Sequence, residues 1–586
     1  MRVGTGVWIV LLVGCLLTVR ADERVLQSRG PLHEQPSVRR PVALAFVENE
    51  RFLAVANRCG TVSVVDTDGW QVVAEYRVGE RLSAMAAVGP QSLLVTDEAG
   101  HRLWWLQVRD GRLHQTRAID VSSYPVCVVF DARRSCAYVA SLWSRRLTCV
   151  WLLPERMAID RVIDLPLAPR SMTLAPDENT LVVADSFNGR LGLVDLEGWC
   201  YRTTRTFPAH NIRGLASSPD GKMLVVAHQM LNDLAQTTSN DIHWGLLMSN
   251  DLRWLQWGAV LDPQADLYRG AHMHPLGEPG RATADPSGLA MTRQGVVVVT
   301  IGGMDEVALG RESDFSLYRL KVGRRPTAVI VNRSGDLAVV ANSFADTLSL
   351  VDLVGRRVVG EVSLGPMAPL SEVERGEMLF YDGRLSHDGW MSCHSCHTDG
   401  HTNGGLNDNL SDHTFGAPKR VLSLLGVADT APYAWLGHVP DLETQIDNSI
   451  QKTMQGPARL SAEDRAALVA YLKSLKPPPA LDAARGVVDR QNVEKGREVF
   501  ERRGCKRCHA PPTYTTPDTY DVGLVDQRDN RRFNPPSLLG VSQRGPYLHD
   551  NSVEQLEDLF LLVGHPNDSE YSDEEVRLLV AFLRSL

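Results

Sequence analysis

Between Pro326 and Gly365 apolar and polar residues alternate in four short bursts, broken by turn signals such as Ser334-Gly335-Asp336. Alternation of period two predicts four β-strands. Similar units begin near Pro41, Arg81, Pro125, Arg170, Ile212 and Gly288, at a spacing of about 40 to 45 residues except for a longer fifth unit. A four-stranded unit of this size cannot bury both of its faces alone. Radial repetition buries them, so residues 22–365 are expected to form an all-β, seven-bladed propeller. The fifth unit, about Ile212 to Ser287, carries an insertion with His228, His243, His272 and His274. That insertion is expected to cover one mouth of the propeller and face the next domain. His272-Met273-His274 also offers a soft metal site, against the plainer reading of hydrogen-bonded loop histidines.

Beyond Gly365 the period becomes helical, with Pro366 and Pro369 marking the change. The remaining sequence is internally duplicated. "ERGEMLF" is echoed by "EKGREVF", "APYAWLGHVPDLETQ" by "GPYLHDNSVEQLEDL", and "SAEDRAALVAYLKSLKP" by "SDEEVRLLVAFLRSL". Two capping boxes are expected, Ser461 with Asp464 and Ser572 with Glu575. The pattern predicts two all-α domains, residues 366–480 and 481–586, joined by the stiff Pro477-Pro478-Pro479 hinge. The chain as a whole reads as multidomain.

Composition narrows the class. With 44% hydrophobic residues the chain can pack, and a net charge of −9 leaves no electrostatic footprint for nucleic acid. Arg2, the apolar run Val7 to Val19, and small Ala21 before Asp22 have the order of a secretory signal over residues 1–21. The run is too short for a span of about 20 residues, and no other stretch reaches that length. The mature chain is therefore expected to be soluble, exported and periplasmic. Leu12-Val13-Gly14-Cys15 additionally reads as a lipoprotein cleavage box. Cys59, Cys127, Cys136, Cys149 and Cys200 fall in the propeller, where buried free thiols are expected, with one disulfide as the alternative.

The chemistry lies in two C-x-x-C-H motifs, Cys393-His394-Ser395-Cys396-His397 and Cys505-Lys506-Arg507-Cys508-His509. Two thiols three positions apart reach both vinyl groups of a haem, and the adjacent histidine falls beneath the iron. A bare C-x-x-C would fit a redox pair or half a zinc site. The added histidine, the duplication and the export signal favour two covalently bound c-type haems. Cys393, Cys396, Cys505 and Cys508 would hold them, with His397 and His509 as axial ligands.

The propeller units resemble YVTN-type repeats. Residues 371–586 resemble the bacterial di-haem cytochrome c peroxidase superfamily through "GRLSHDGWMSCHSCH", "SLLGVADTAPYAWLG", "PPSLLGVSQRGPYLHD" and "LLVAFLRSL". The resemblance implies a periplasmic enzyme in which one haem accepts electrons from a small redox protein. The other meets hydrogen peroxide or a similar small oxidant. Trp435 would lie between the haems and carry electrons. His413, with His401 and Met454 as rivals, would be the sixth ligand of the first haem. At the second haem the family methionine falls on Val563, and His565 could coordinate instead; His549 would lie near the haem edge. Calcium between the domains is open, although the family's asparagine has no counterpart around Lys419-Arg420-Val421. The sequence departs from the family at Thr453, which occupies the position of a catalytic glutamate. Threonine cannot shuttle a proton as a carboxylate does. Besides a peroxidase-like enzyme, the sequence admits an electron carrier docked through its propeller, or an oxidase acting on a partner protein.

Overall fold

The computed structural model describes residues 24–25 and 32–586. The leader expected over residues 1–21 and the lipoprotein box at Cys15 lie outside the described residues. From Pro41 to Ser363 seven antiparallel sheets follow one another, each built from four strands in chain order. Their first strands begin at Pro41, Leu82, Pro125, Pro169, His210, Pro286 and Pro326, giving the seven-bladed propeller expected from the repeats. A short strand, Arg24–Val25, pairs with the outer strand of the second blade, Arg112–Asp120.

Burial refines the period-two reading. The second strand of the first blade, Phe52–Asn57, is buried at every position. Its outer strand, Gln71–Arg77, is exposed at Gln71, Val73 and Arg77. Middle strands are sandwiched between neighbouring blades, so both faces must be apolar, whereas outer strands keep one wet face. The ring closes without a strand shared between its ends. Leu53, Val55 and Val65 of the first blade interlock with Val339, Ala341 and Leu348 of the seventh. The Ser343 hydroxyl donates to the Pro41 carbonyl at 2.6 Å, and the backbone amides of Arg39 and Arg40 donate to the Asp346 carboxylate, each at 2.7 Å. Cys127, Cys136 and Cys149 sit on consecutive strands of the third blade as free thiols.

The fifth blade carries two insertions, 232–247 with the helix Ser239–His243, and 257–271 with the helix Trp257–Leu261. The first rests on the C-terminal part. The Thr237 amide donates to the Asp408 carbonyl at 3.2 Å, and the Gln455 side chain donates to the Thr237 carbonyl at 3.0 Å. His272 and His274 do not make the soft metal site entertained from their spacing. His274 Nδ1 accepts from the Trp254 indole at 2.9 Å and Nε2 meets the Asp314 carbonyl at 2.8 Å, so both its ring nitrogens are engaged.

The C-terminal part is helical, and its duplication is visible in packing. Helix Glu372–Phe380 crosses helix Ala462–Ser474, and helix Arg490–Arg502 crosses helix Asp573–Leu583. At each crossing a glycine of the echoed heptapeptides makes the approach possible. A Cβ on Gly376 would overlap the Ala467 carbonyl oxygen, and one on Gly496 the Leu578 carbonyl oxygen. Ser572 and Glu575 form the reciprocal box; at Ser461 the hydroxyl accepts from the Asp464 amide. Among the described residues no helix is long and apolar enough to cross a membrane.

The propeller grips the segment that carries the first C-x-x-C-H motif. Buried Asp285 accepts from the Ser392 and Ser395 hydroxyls at 2.6 and 2.7 Å. His210 Nε2 meets the Ser395 carbonyl at 2.8 Å, and Arg213 pairs with Asp399 at 2.8 Å. Further out, Arg58 pairs with Glu377 at 2.8 Å.

Candidate functional site

Cys393–Cys396 forms a single helical turn, which brings both thiols to the wall of a cavity of about 500 Å³. That volume lies within the range that holds a cofactor. His397 lines the same cavity, and its Nδ1 donates to the Leu422 carbonyl at 2.8 Å, leaving the Nε2 lone pair for a metal. Burial pushes this imidazole down to about 4, so it stays neutral and able to ligate. Burial pushes the Cys393 and Cys396 thiols up to about 12. A redox C-x-x-C needs the opposite, a depressed thiolate.

The second motif repeats the design. Cys505–Arg507 forms a short helical turn, and His509 Nδ1 donates to the Tyr514 carbonyl at 3.1 Å. Burial, and then the nearby His565, hold the His509 imidazole at about 4. His565 Nδ1 is buried with no hydrogen-bond partner among the described residues. The structure thus brings His509 and His565, 56 positions apart in the numbering, into one electrostatic neighbourhood.

Trp435 joins the halves. Its indole donates to the Arg420 carbonyl at 2.8 Å, and its own carbonyl accepts from the Asn534 amide at 2.7 Å. Across from it lies His549, stacked on Phe533 at 4.5 Å and edge-on to Trp435 at 6.3 Å. His549 is buried, at 2% exposure.

Met454, buried, and Thr453 both line the cavity. His413 lies at its exposed mouth, stacked at 5.3 Å on His438, a residue that sequence reasoning missed because no motif spacing marks it. His401 is not among these groups: Nδ1 meets the Ser423 hydroxyl at 2.8 Å and Nε2 the Gln543 carbonyl at 3.0 Å. No aspartate or glutamate is among the described residues that line the cavity. Calcium between the halves gains no support. At the position of the missing asparagine, buried Lys419 places its ammonium between Asp412 and Asp526, at 2.6 and 2.9 Å.

Two buried arginines test whether a haem suits the cavity. Arg420 and Arg544 line it, each has an unpartnered Nε, and neither has a carboxylate partner among the described residues. Burial pulls both guanidinium groups down to about 10. Uncompensated buried cations are costly, and the carboxylates of a haem would compensate them. The donor set, the apolar wall and these cations fit the group.

Fold and site together define a seven-bladed propeller followed by a helical part that holds two C-x-x-C-H motifs, the first of them on the wall of a cavity. Residues 371–503 match the family model described as di-haem cytochrome c peroxidase, so the C-terminal part contains a domain of that family. Among curated proteins, the chain is similar to the methylamine utilization protein MauG of Methylorubrum extorquens, 27% identical over 283 residues covering 38% of this chain and 79% of that protein. Cytochrome c551 peroxidase of Nitrosomonas europaea is 24% identical over 268 residues, covering 36% and 79%. Among solved structures, hydrazine synthase of Kuenenia stuttgartiensis matches over 55% of this chain and 97% of its own, at 19% identity and a TM-score of 0.46.

Proposed function

We propose that the protein is an exported, periplasmic di-haem c-type cytochrome with peroxidase-like redox activity. Residues 366–480 and 481–586 are read as two cytochrome c-type domains. Cys393 and Cys396 would hold one haem covalently and Cys505 and Cys508 the other, with His397 and His509 as the protein ligands to iron. When bound, the haems supply electron exchange at iron. Reduction of hydrogen peroxide to two waters consumes two electrons, drawn from a small reduced redox protein, and two protons. The chain's own task is to conduct the electrons and deliver the protons.

Electrons would enter at the second motif, where His565 lies in the electrostatic neighbourhood of His509, and cross beside Trp435, whose hydrogen bonds tie it to both halves. The oxidant would enter the cavity away from His397, on the side where Met454 or His413 could hold the iron until displaced. Thr453 can orient an oxidant through its hydroxyl but cannot hold its proton. That work passes to His413 and His438 at the mouth, since imidazole suits general acid–base transfer. The observation that carries the reading is the cavity itself: one proximal histidine with a fixed tautomer, uncompensated cations, and a wall shared by both halves.

The test uses holoprotein made with an intact haem-ligation apparatus. Intact mass should show two added haems, and peroxide should be consumed with a reduced cytochrome as donor. That no aspartate or glutamate is among the described residues lining the cavity specifically favours a second reading, an electron carrier. Two six-coordinate haems that bind no cyanide in either redox state and turn over no peroxide would establish the carrier instead.

A further inference from the structure

A second cluster of ligating side chains lies outside the haem cavity, on the seam between propeller and helical part. His243 ends the helix of the first fifth-blade insertion. His387 and Asp388 form the turn between helix Glu372–Phe380 and the first C-x-x-C-H motif. One ligand atom from each of the three lies within 4.8 Å of the others. His243 Nδ1 is 2.6 Å from Asp388 Oδ2, and His387 Nε2 is 3.7 Å from the same oxygen.

Their surroundings arrange them. The Gly280 amide donates to Asp388 Oδ2 at 3.1 Å and the Ala282 amide to the Asp388 carbonyl at 3.2 Å, which fixes the carboxylate. The Trp390 indole donates to the His243 carbonyl at 3.2 Å and holds the helix end. A hydrogen-bonded His243–Asp388 pair alone would need no second imidazole, yet the His387 ring comes within 5.8 Å of the His243 ring without hydrogen-bonding to it. The side chains of His243, His387 and Asp388 are 38%, 35% and 19% exposed, so an ion can enter from solvent and keep a water.

We propose that His243, His387 and Asp388 form a binding site for a divalent, borderline-soft metal ion of the zinc class, fastening the propeller insertion to the segment that leads into the first C-x-x-C-H motif. Two imidazoles and one carboxylate disfavour calcium and magnesium, which prefer all-oxygen shells. Three protein ligands and a water complete a tetrahedron around zinc. Ligand atoms in such a shell stand roughly 3.5 Å apart at bond lengths of about 2.1 Å. Small side-chain rotations bring the three atoms to that spacing. The ion displaces the proton shared by His243 and Asp388, which leaves to solvent. The fastening bears on the cavity, because the His387 amide donates to the Met454 carbonyl at 2.9 Å.

The test is zinc binding to chelator-treated full-length holoprotein, read by elemental analysis after gel filtration, by calorimetry, and by X-ray absorption at the zinc edge. The expected result is one zinc per chain in a nitrogen–oxygen shell containing two imidazoles. H387A and D388N should each weaken binding by about 100-fold or more, since even outer-shell losses cost 10–100-fold. D388N keeps an acceptor for the Gly280 amide, and an unchanged thermal midpoint will show that it folds. H272A, an exposed imidazole beside Glu312, should bind as the parent does. Failure of the parent to retain zinc, retention unaltered in folded D388N, or loss confined to H272A would each overturn the proposal.

Discussion

Replacing Lys419 by methionine isolates one buried charge that ties the two halves of the helical part together. Methionine keeps the unbranched stem but removes the ammonium that stands 2.6 Å from Asp412, 2.9 Å from Asp526 and 3.1 Å from the Ala417 carbonyl. All three side chains are nearly sealed, with 7%, 3% and 0% exposure for Lys419, Asp412 and Asp526. Two carboxylates left facing each other at about 5 Å repel by roughly 3 kcal/mol at an effective dielectric of about 20. Breaking a buried pair by removing one partner typically costs about 3–5 kcal/mol, in agreement. For a helical part of this size that corresponds to a fall of about 10 °C in unfolding midpoint. Far-ultraviolet circular dichroism suits the measurement, because its helical signal comes mainly from the C-terminal part.

The pH dependence gives the prediction its sign. Burial pushes the Asp526 carboxyl up, but the hydrogen bonds from Lys419 and Asn530 outweigh it and hold the group at about 2, below its ordinary 3.8. A depressed carboxyl stabilises the fold above its unfolded value, and that stability is lost as pH falls toward 2. In K419M the lowering partner is gone and one of the paired acids takes up a proton on mild acidification. The deficit should therefore shrink between about pH 7.5 and pH 5. A midpoint within about 2 °C of the parent at neutral pH would refute the reasoning, as would a deficit that stays constant on acidification.

Other consequences follow from the same geometry. H565A should turn the second haem from a low-spin to a high-spin spectrum and let it bind cyanide; an unchanged spectrum would remove His565 as ligand. W435F should slow electron transfer between the haems in stopped-flow experiments while leaving both haem spectra unaltered, and an unchanged rate would leave Trp435 as packing only. D285A should destabilise the propeller contact by about 1–3 kcal/mol, since it strands the Ser392 and Ser395 hydroxyls in a buried site; limited proteolysis between the two parts checks it. H413A combined with H438A should lower peroxide turnover by about 10²-fold or more if these rings move the protons, with haem content as the control.

Much of this was written in local sequence. Period-two bursts with turn signals gave seven blades because a strand's pattern is set by its immediate neighbours. The passage to helical period after Gly365, the echo of Gly376 in Gly496, and the two C-x-x-C-H motifs were equally local, since covalent haem attachment needs thiols at fixed spacing. The family resemblance pointed to Trp435, Thr453 and His565 one position at a time, without saying which side chains of this chain surround each. It also left calcium open where the chain supplies its own cation in Lys419.

The remainder belongs to tertiary structure. Asp285 reaches Ser392 and Ser395 over separations of 107 and 110 residues, and His243 meets Asp388 over 145. Arg420 and Arg544 become an uncompensated pair only once the two halves close around a common cavity, and His438 becomes a partner of His413 only once the chain of the first half folds back on itself. Periodicity and spacing report which face of an element is apolar and which atoms a single turn can bring together. They carry no information on which distant surface that face meets, because that depends on the summed burial and charge pairing of the whole chain.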